Sequence, residues 1–178
     1  MRRLEQIRNT MLNSLKIKKR FYWDSEMGVN LESCGFIIDG DYTFNDDGSI
    51  SLPYGSKITI PIEYANEAIV AVNLIETTQY LGGDAGIYVG NGNEYSGISL
   101  SFWGIWYPYS FTNPRVILKQ VRSNSYGDRK VEFSAGNKSN FYTNDVLEGS
   151  ENNSNGSYRI QIKGTNYLQI KKIDIEVK

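Results

Sequence analysis

The chain of 178 residues has no histidine and one cysteine, and its 19 Lys and Arg nearly balance 20 Asp and Glu. The missing imidazole excludes Ser-His and Cys-His nucleophilic catalysis and His-ligated zinc, and the lone Cys34 excludes an intramolecular disulfide. A single domain of this length buries roughly two-thirds or more of its unfolded surface, so an apolar core can hold it without such a bridge.

Charge is spread unevenly. Residues 1–20 hold seven bases, Arg2, Arg3, Arg8, Lys16, Lys18, Lys19 and Arg20, against Glu5, which leaves twelve bases against nineteen acids from residue 21 onward. Within this basic stretch Leu4, Ile7, Met11, Leu12 and Leu15 recur at three- and four-residue spacings, which predicts an amphipathic helix. Its apolar stripe fits a contact with its own domain or with a sister copy, and its basic flank offers nucleic acid or a membrane surface as the alternative. The expected division is an attachment segment over 1–21 and a body over 22–178. The basic start has no uninterrupted apolar stretch behind it, and no later apolar run approaches the roughly 18 residues of a membrane span. A soluble product of a reducing cytoplasm, without a secretory address, is therefore expected.

From Phe36 the apolar period becomes two. Residues 36–44 and 49–52 flank Asn45-Asp46-Asp47-Gly48, whose Asp-Gly step supplies the positive φ of a tight hairpin. In residues 57–64, Ile58, Ile60 and Ile62 share one side, and Pro61, which cannot donate to a ladder, marks an edge or a bulge. Residues 69–75 are apolar almost throughout and predict a central strand covered on both faces. Residues 87–90 and 95–102 are strands joined by Asn91-Gly92-Asn93. Residues 115–121, 130–133, 158–163 and 167–177 complete about ten strands. In the last of these Leu168 and Ile170 have one parity and Ile173, Ile175 and Val177 the other, so a β-bulge near Lys171-Lys172 must keep all five inward. Residues 148–157 read as a polar loop. The expected fold is all-β, an antiparallel, jelly-roll-like β-sandwich preceded by the N-terminal amphipathic helix.

Catalysis is not expected. Paired-carboxylate hydrolases on sandwich folds set acids at alternating positions of one strand lining a cleft. Here Asp39, Asp41, Asp46, Asp47, Asp84 and Asp145 sit in turns, and the strand acids Glu63, Glu132, Asp174 and Glu176 form no such set. The turns around Asp39-Gly40-Asp41 and residues 45–48 lack the spacing of a full calcium loop. The densest unusual segment is residues 101–111, with six aromatics interrupted by Gly104 and Pro108. Trp103, Trp106, Tyr107 and Tyr109 are its candidate ligand or interface residues: they can pack in the core, face another subunit, or stack on sugar rings.

Two stretches carry resemblances. Residues 157–164, a short turn and residues 168–177 with Lys172-Ile173-Asp174-Ile175-Glu176 resemble the final strand pair of jelly-roll carbohydrate-binding modules. That resemblance implies Asp174 as a ligand of a structural calcium and no other cofactor. The opening, with a helical leader before Lys18-Lys19-Arg20-Phe21-Tyr22, resembles small structural proteins of tailed bacteriophages. It implies a non-enzymatic virion component on the tail, baseplate or capsid surface, made in the host cytoplasm, that assembles through Leu4, Ile7, Met11 and Leu15. Its expected partners are other virion proteins, further copies of itself and a host-surface glycan, with no nucleic acid and no membrane span. The alternative is a free-standing carbohydrate-binding protein.

Overall fold

The computed structural model describes residues 19–62, 65–75, 86–91, 96–101, 105–110, 119–120, 127–134, 137–152, 158–164 and 168–178. Its strands are β1 (Lys19–Asp24), β2 (Ile37–Asp39), β3 (Thr43–Phe44), β4 (Ile50–Ser51), β5 (Lys57–Thr59), β6 (Glu67–Leu74), β7 (Gly86–Asn91), β8 (Ser96–Ser101), β9 (Ile105–Ser110), β10 (Lys119–Gln120), β11 (Gly127–Ser134), β12 (Lys138–Thr143), β13 (Val146–Asn152), β14 (Tyr158–Lys163) and β15 (Gln169–Val177). They form two antiparallel sheets. The first has the order β13-β12-β11-β6-β15-β4-β3, with β1 also paired to β15, and the second the order β10-β9-β8-β7-β14-β5-β2. Among the described residues the helical content is two 3-10 turns, Ser25–Met27 and Glu32–Cys34, and no helix is long and apolar enough to cross a membrane.

Alternation explains the core. Val70, Val72 and Leu74 of β6, Val131 and Phe133 of β11, and Ile173, Ile175 and Val177 of β15 are buried inward from the first sheet, and Ile58, Ile87, Ile160 and Ile162 from the second. Strand β15 keeps its phase by the expected bulge: Ile170 pairs with Leu74 and Lys172 with Asn73, so Lys171 is the extra residue. The bulge also marks a change of neighbour, because residues 169–170 pair with β4 and residues 172–177 with β1. The residue 45–48 turn forms as expected, with Gly48 at φ 78° and the Asn45 N–H donating to Ser49 O at 2.9 Å.

Four expectations need correction. Residues 36–44 are not one strand: β2 lies in the second sheet and β3 in the first, and Gly40 (φ 94°) turns the chain between them. Strand β6 is central but buried on one face, its outward Ile69, Ala71 and Asn73 being half-buried. Pro108 lies within β9, paired with Ile98, and the described β10 faces only Ile105 and Trp106. Residues 148–152, read as loop, belong to β13.

The leader's stripe, Leu4, Ile7, Met11 and Leu15, lies outside the described residues. The division placed between residues 21 and 22 falls inside β1, which runs antiparallel to β15 from Lys19↔Val177 to Asp24↔Lys172. Its inward Trp23 is fully buried, with the indole N–H donating to Val29 O at 2.9 Å. Arg129 is also fully buried; burial pushes its guanidinium down to about 10, the carboxylates of Glu148 and Asp128 opposing that fall, and it stays charged near neutrality.

Candidate functional site

The outer faces of the two sheets differ in kind. On the first, charges neutralise one another. Arg20 Nε and Nη2 donate to the two carboxylate oxygens of Asp174 at 2.8 and 2.7 Å, which raises the guanidinium further above its ordinary range. Lys130 lies 3.5 Å from both Glu132 and Asp145, and the Tyr142 hydroxyl donates to Glu132 at 2.9 Å. The aromatic faces here already hold cations: Arg20 and Lys172 stand over Tyr22, and Lys130 over Tyr142. Asp174, expected to ligate calcium, is thus engaged by Arg20, and no group of three or more Cys, Asp or Glu suited to a metal occurs among the described residues.

The second sheet carries a built cavity, and its construction starts at a turn. In Pro53-Tyr54-Gly55-Ser56 the Ser56 N–H donates to Pro53 O at 3.1 Å, and Gly55 at φ 89° supplies the positive φ of the third turn position. Tyr54 at the second position therefore projects outward and is 71% exposed. The turn rests on the end of β14 because Gly164 has no side chain. A Cβ there would stand 2.4 Å from Leu52 O and 2.6 Å from Pro53 O, and the Gly164 N–H donates to Ser56 O at 2.9 Å. Ser56 Oγ accepts from the Asp41 N–H at 3.0 Å, which joins the loop after β2 to the same point.

The result is a cavity of about 250 Å³ lined by Tyr54, Gly55, Ser56, Lys57, Tyr88, Lys163 and Gly164. Tyr88 forms a nearly closed floor, 3% exposed, with Lys163 Nζ 4.4 Å from its ring centroid. Lys57 Nζ lies 3.8 Å from Asp39. A second cavity of about 190 Å³ lies further along β5 and β14, lined by Thr59, Ile60, Ile62, Arg159, Ile160 and Gln161. Both fall below the roughly 300–1,000 Å³ of an enclosed drug-sized pocket, and the second is lined partly by the core residues Ile60 and Ile160.

Strand register aligns part of the aromatic segment with the strands of this site. Tyr107 pairs with Ser99, Ser99 with Tyr88 and Tyr88 with Gln161, so Tyr107 shares a cross-strand row with the cavity floor. Tyr109 reaches Arg159 through Gly97 and Gly90 in the next such row. Trp106 instead shares the row of Leu100, Ile87 and Ile162, whose described members Ile87 and Ile162 are core residues. Trp103 lies outside the described residues. Tyr54, Lys57, Tyr88, Arg159 and Lys163 were not singled out by sequence reasoning; Pro-Tyr-Gly-Ser is a readable turn signature, but the pairing of β5 with β14 is a long-range fact.

No protein-family model matches the chain, and no curated protein matches its sequence. Among solved structures it is similar to domain 4 of AbnA, a GH43 extracellular arabinanase from Geobacillus stearothermophilus, in complex with arabinotriose, with TM-score 0.54 and 17% identity over 80% of this chain and 82% of that one. It is similar also to a glycosyl hydrolase family protein from Mycobacterium fortuitum, with TM-score 0.56 and 8% identity over 92% and 99% of the two chains. A third is β-agarase A from Zobellia galactanivorans, with TM-score 0.51 and 9% identity over 90% and 93%. At these identities the likeness is one of fold, and the antiparallel β-sandwich expected from the sequence is the architecture of the described chain.

Proposed function

We propose that the protein is a non-enzymatic glycan-binding β-sandwich whose ligand lies across the outer face of the second sheet. The observation that carries this reading is the cavity headed by the exposed Tyr54 ring and floored by Tyr88, with hydroxyl, amide and ammonium groups on neighbouring strands. An exposed ring stacks on the C–H face of a sugar while those polar groups meet its hydroxyls. The arabinotriose complex of AbnA domain 4 supports it, as a fold likeness in which a sugar is bound.

The non-enzymatic part of the proposal rests on the sequence, in which His is absent and the strand acids Glu63, Glu132, Asp174 and Glu176 form no paired set. The particle role rests on the resemblance of the opening, with Leu4, Ile7, Met11 and Leu15 as its proposed contacts to other virion proteins or to further copies. A glycan site on the sandwich serves a particle-borne or a free protein equally.

Affinity electrophoresis through gels containing soluble polysaccharides tests the site. Tyr54→Ala should weaken retention about tenfold, or about 1.4 kcal/mol, as loss of an exposed stacking aromatic does. Its melting temperature should stay near that of the wild type, because the ring is mostly exposed. Undiminished retention would remove the site from the second sheet, and a wild type retarded by no polysaccharide would remove glycan binding altogether.

A further inference from the structure

We infer that the wall of the sandwich built by residues 24–47 is the docking surface for the basic leader, residues 2–18, of a second copy of this chain. This rests on the assembly role proposed for the leader, adds its receptor, and is independent of the glycan site. The wall is one surface because β3 ends the order of the first sheet, β2 ends that of the second, and the Gly40 turn joins them. The 45–48 turn abuts the chain leaving β1, since a Cβ on Gly48 would stand 2.5 Å from Ser25 O. Between these points the Tyr42 hydroxyl accepts from the Leu31 N–H at 3.3 Å and donates to Glu32 at 2.8 Å, and its ring centroid lies 5.6 Å from that of Phe44.

The wall carries charge of one sign. Residues 21–56 contain seven acids and no Lys or Arg. Glu26, Glu32, Asp39, Asp41, Asp46 and Asp47 are exposed. Among the described residues, the ion pair that these acids make is Asp39 with Lys57 at 3.8 Å, and the charge of Lys171 also acts on Asp47. Set among the carboxylates, Met27, Val29, Ile37 and Phe44 are 37–50% exposed. Singly exposed apolar residues are ordinary, but four of them among unneutralised acids along two sheet edges complement a segment that is both apolar and cationic.

Residues 2–18 have that character. They carry Arg2, Arg3, Arg8, Lys16 and Lys18 against Glu5, with an apolar stripe at helical spacing. A helix of that length measures about 26 Å at roughly 1.5 Å per residue. Strand β1 decides which copy receives it. The strand runs from Lys19, opposite Val177, to Asp24, opposite Lys172. The leader therefore joins at the end of β1 that lies about 17 Å from the 45–48 turn, at roughly 3.4 Å per residue. To meet its own wall it has to reverse and run back along β1, whereas the wall of a neighbour requires no reversal. The contact is heterologous, so copies associate head to tail into chains or rings.

Sedimentation velocity of the full chain tests this. In about 0.05 M NaCl the mass should rise with protein concentration above the 20.2 kDa monomer, and in about 0.5 M NaCl it should return toward it. Arg3→Glu combined with Arg8→Glu in the leader, or Glu26→Lys combined with Asp46→Lys in the wall, should each weaken self-association about tenfold or more. The wall variant should melt like the wild type, because both acids are exposed and their carboxylates hold no hydrogen bond among the described residues. Mixed in equal amounts, the two variants should recover a complex of twice the monomer mass, since the mixture holds one unaltered leader and one unaltered wall. A full chain that stays monomeric at every concentration overturns the inference and leaves the glycan site standing, as does a mixture that fails to associate. Association lost in the leader variant but kept in the wall variant overturns it by placing the leader's receptor elsewhere.

Discussion

Deleting Lys171 and Lys172 together should leave the protein unfolded or nearly so at room temperature, whereas deleting Lys171 alone should be tolerated. The difference follows from register. Ile170 and Lys172 already face consecutive residues of β6, Leu74 and Asn73, so loss of Lys171 converts the bulge to a regular ladder and leaves Leu168, Ile170, Ile173, Ile175 and Val177 inward. Removing both lysines puts Ile173 directly after Ile170 and turns Ile173, Ile175 and Val177 to the outer face. At roughly 1.5–3 kcal/mol for each buried aliphatic, the expected cost is about 5–9 kcal/mol, comparable with the whole stability of many domains. The single deletion should stay within about 2 kcal/mol, as changes without cavity or buried charge do. Urea denaturation of the two variants reads this directly, and equal losses would mean that the bulge does not set the phase of β15.

Trp23→Ala should cost about 3–5 kcal/mol, the range for truncating a fully buried large aromatic. Trp23 is completely buried from β1, and its indole donates to Val29 O, so the change opens a cavity and withdraws that carbonyl's partner. Trp23→Phe should recover most of the packing and still lose the hydrogen bond, which contributes about 1 kcal/mol. Thermal melts of the two variants give the comparison. An alanine variant that melts like the wild type would show that β1 adds nothing to the core, against its six-residue pairing with β15.

Those two strands show where the sequence was legible. Strand β15 was readable down to its irregularity, because five aliphatics in two parities leave one physical solution. The pairing of β7 with β8 around Asn-Gly was readable for a similar reason: local turn chemistry fixes a local contact. Strand β1 was missed because its Lys19 and Arg20 continue the basic leader, although Phe21 and Trp23 already alternate with Arg20, Tyr22 and Asp24. Strand β12 was missed because its inward positions are Ser139, Phe141 and Thr143, and two small polar residues hide the period.

The site was less legible than the fold. Trp106 shares its register row with Ile87 and Ile162, core residues of β7 and β14, while Tyr107 and Tyr109 share theirs with Tyr88 and Arg159. Alternation within residues 105–110 separates Trp106 from the two tyrosines, but which set faces outward depends on pairing with β8. The lysines at the cavity are ordinary solvent-facing residues until β5 and β14 are set side by side.

The central claim, that the outer face of the second sheet binds a glycan, is tested most directly by amide chemical-shift mapping during titration with an oligosaccharide from a polysaccharide that retains the protein. The account predicts saturable shifts at Tyr54, Lys57, Thr59, Tyr88, Gln161 and Lys163, with Tyr22, Lys130 and Tyr142 unmoved. Shifts confined to those last three would place the ligand on the opposite sheet and contradict it.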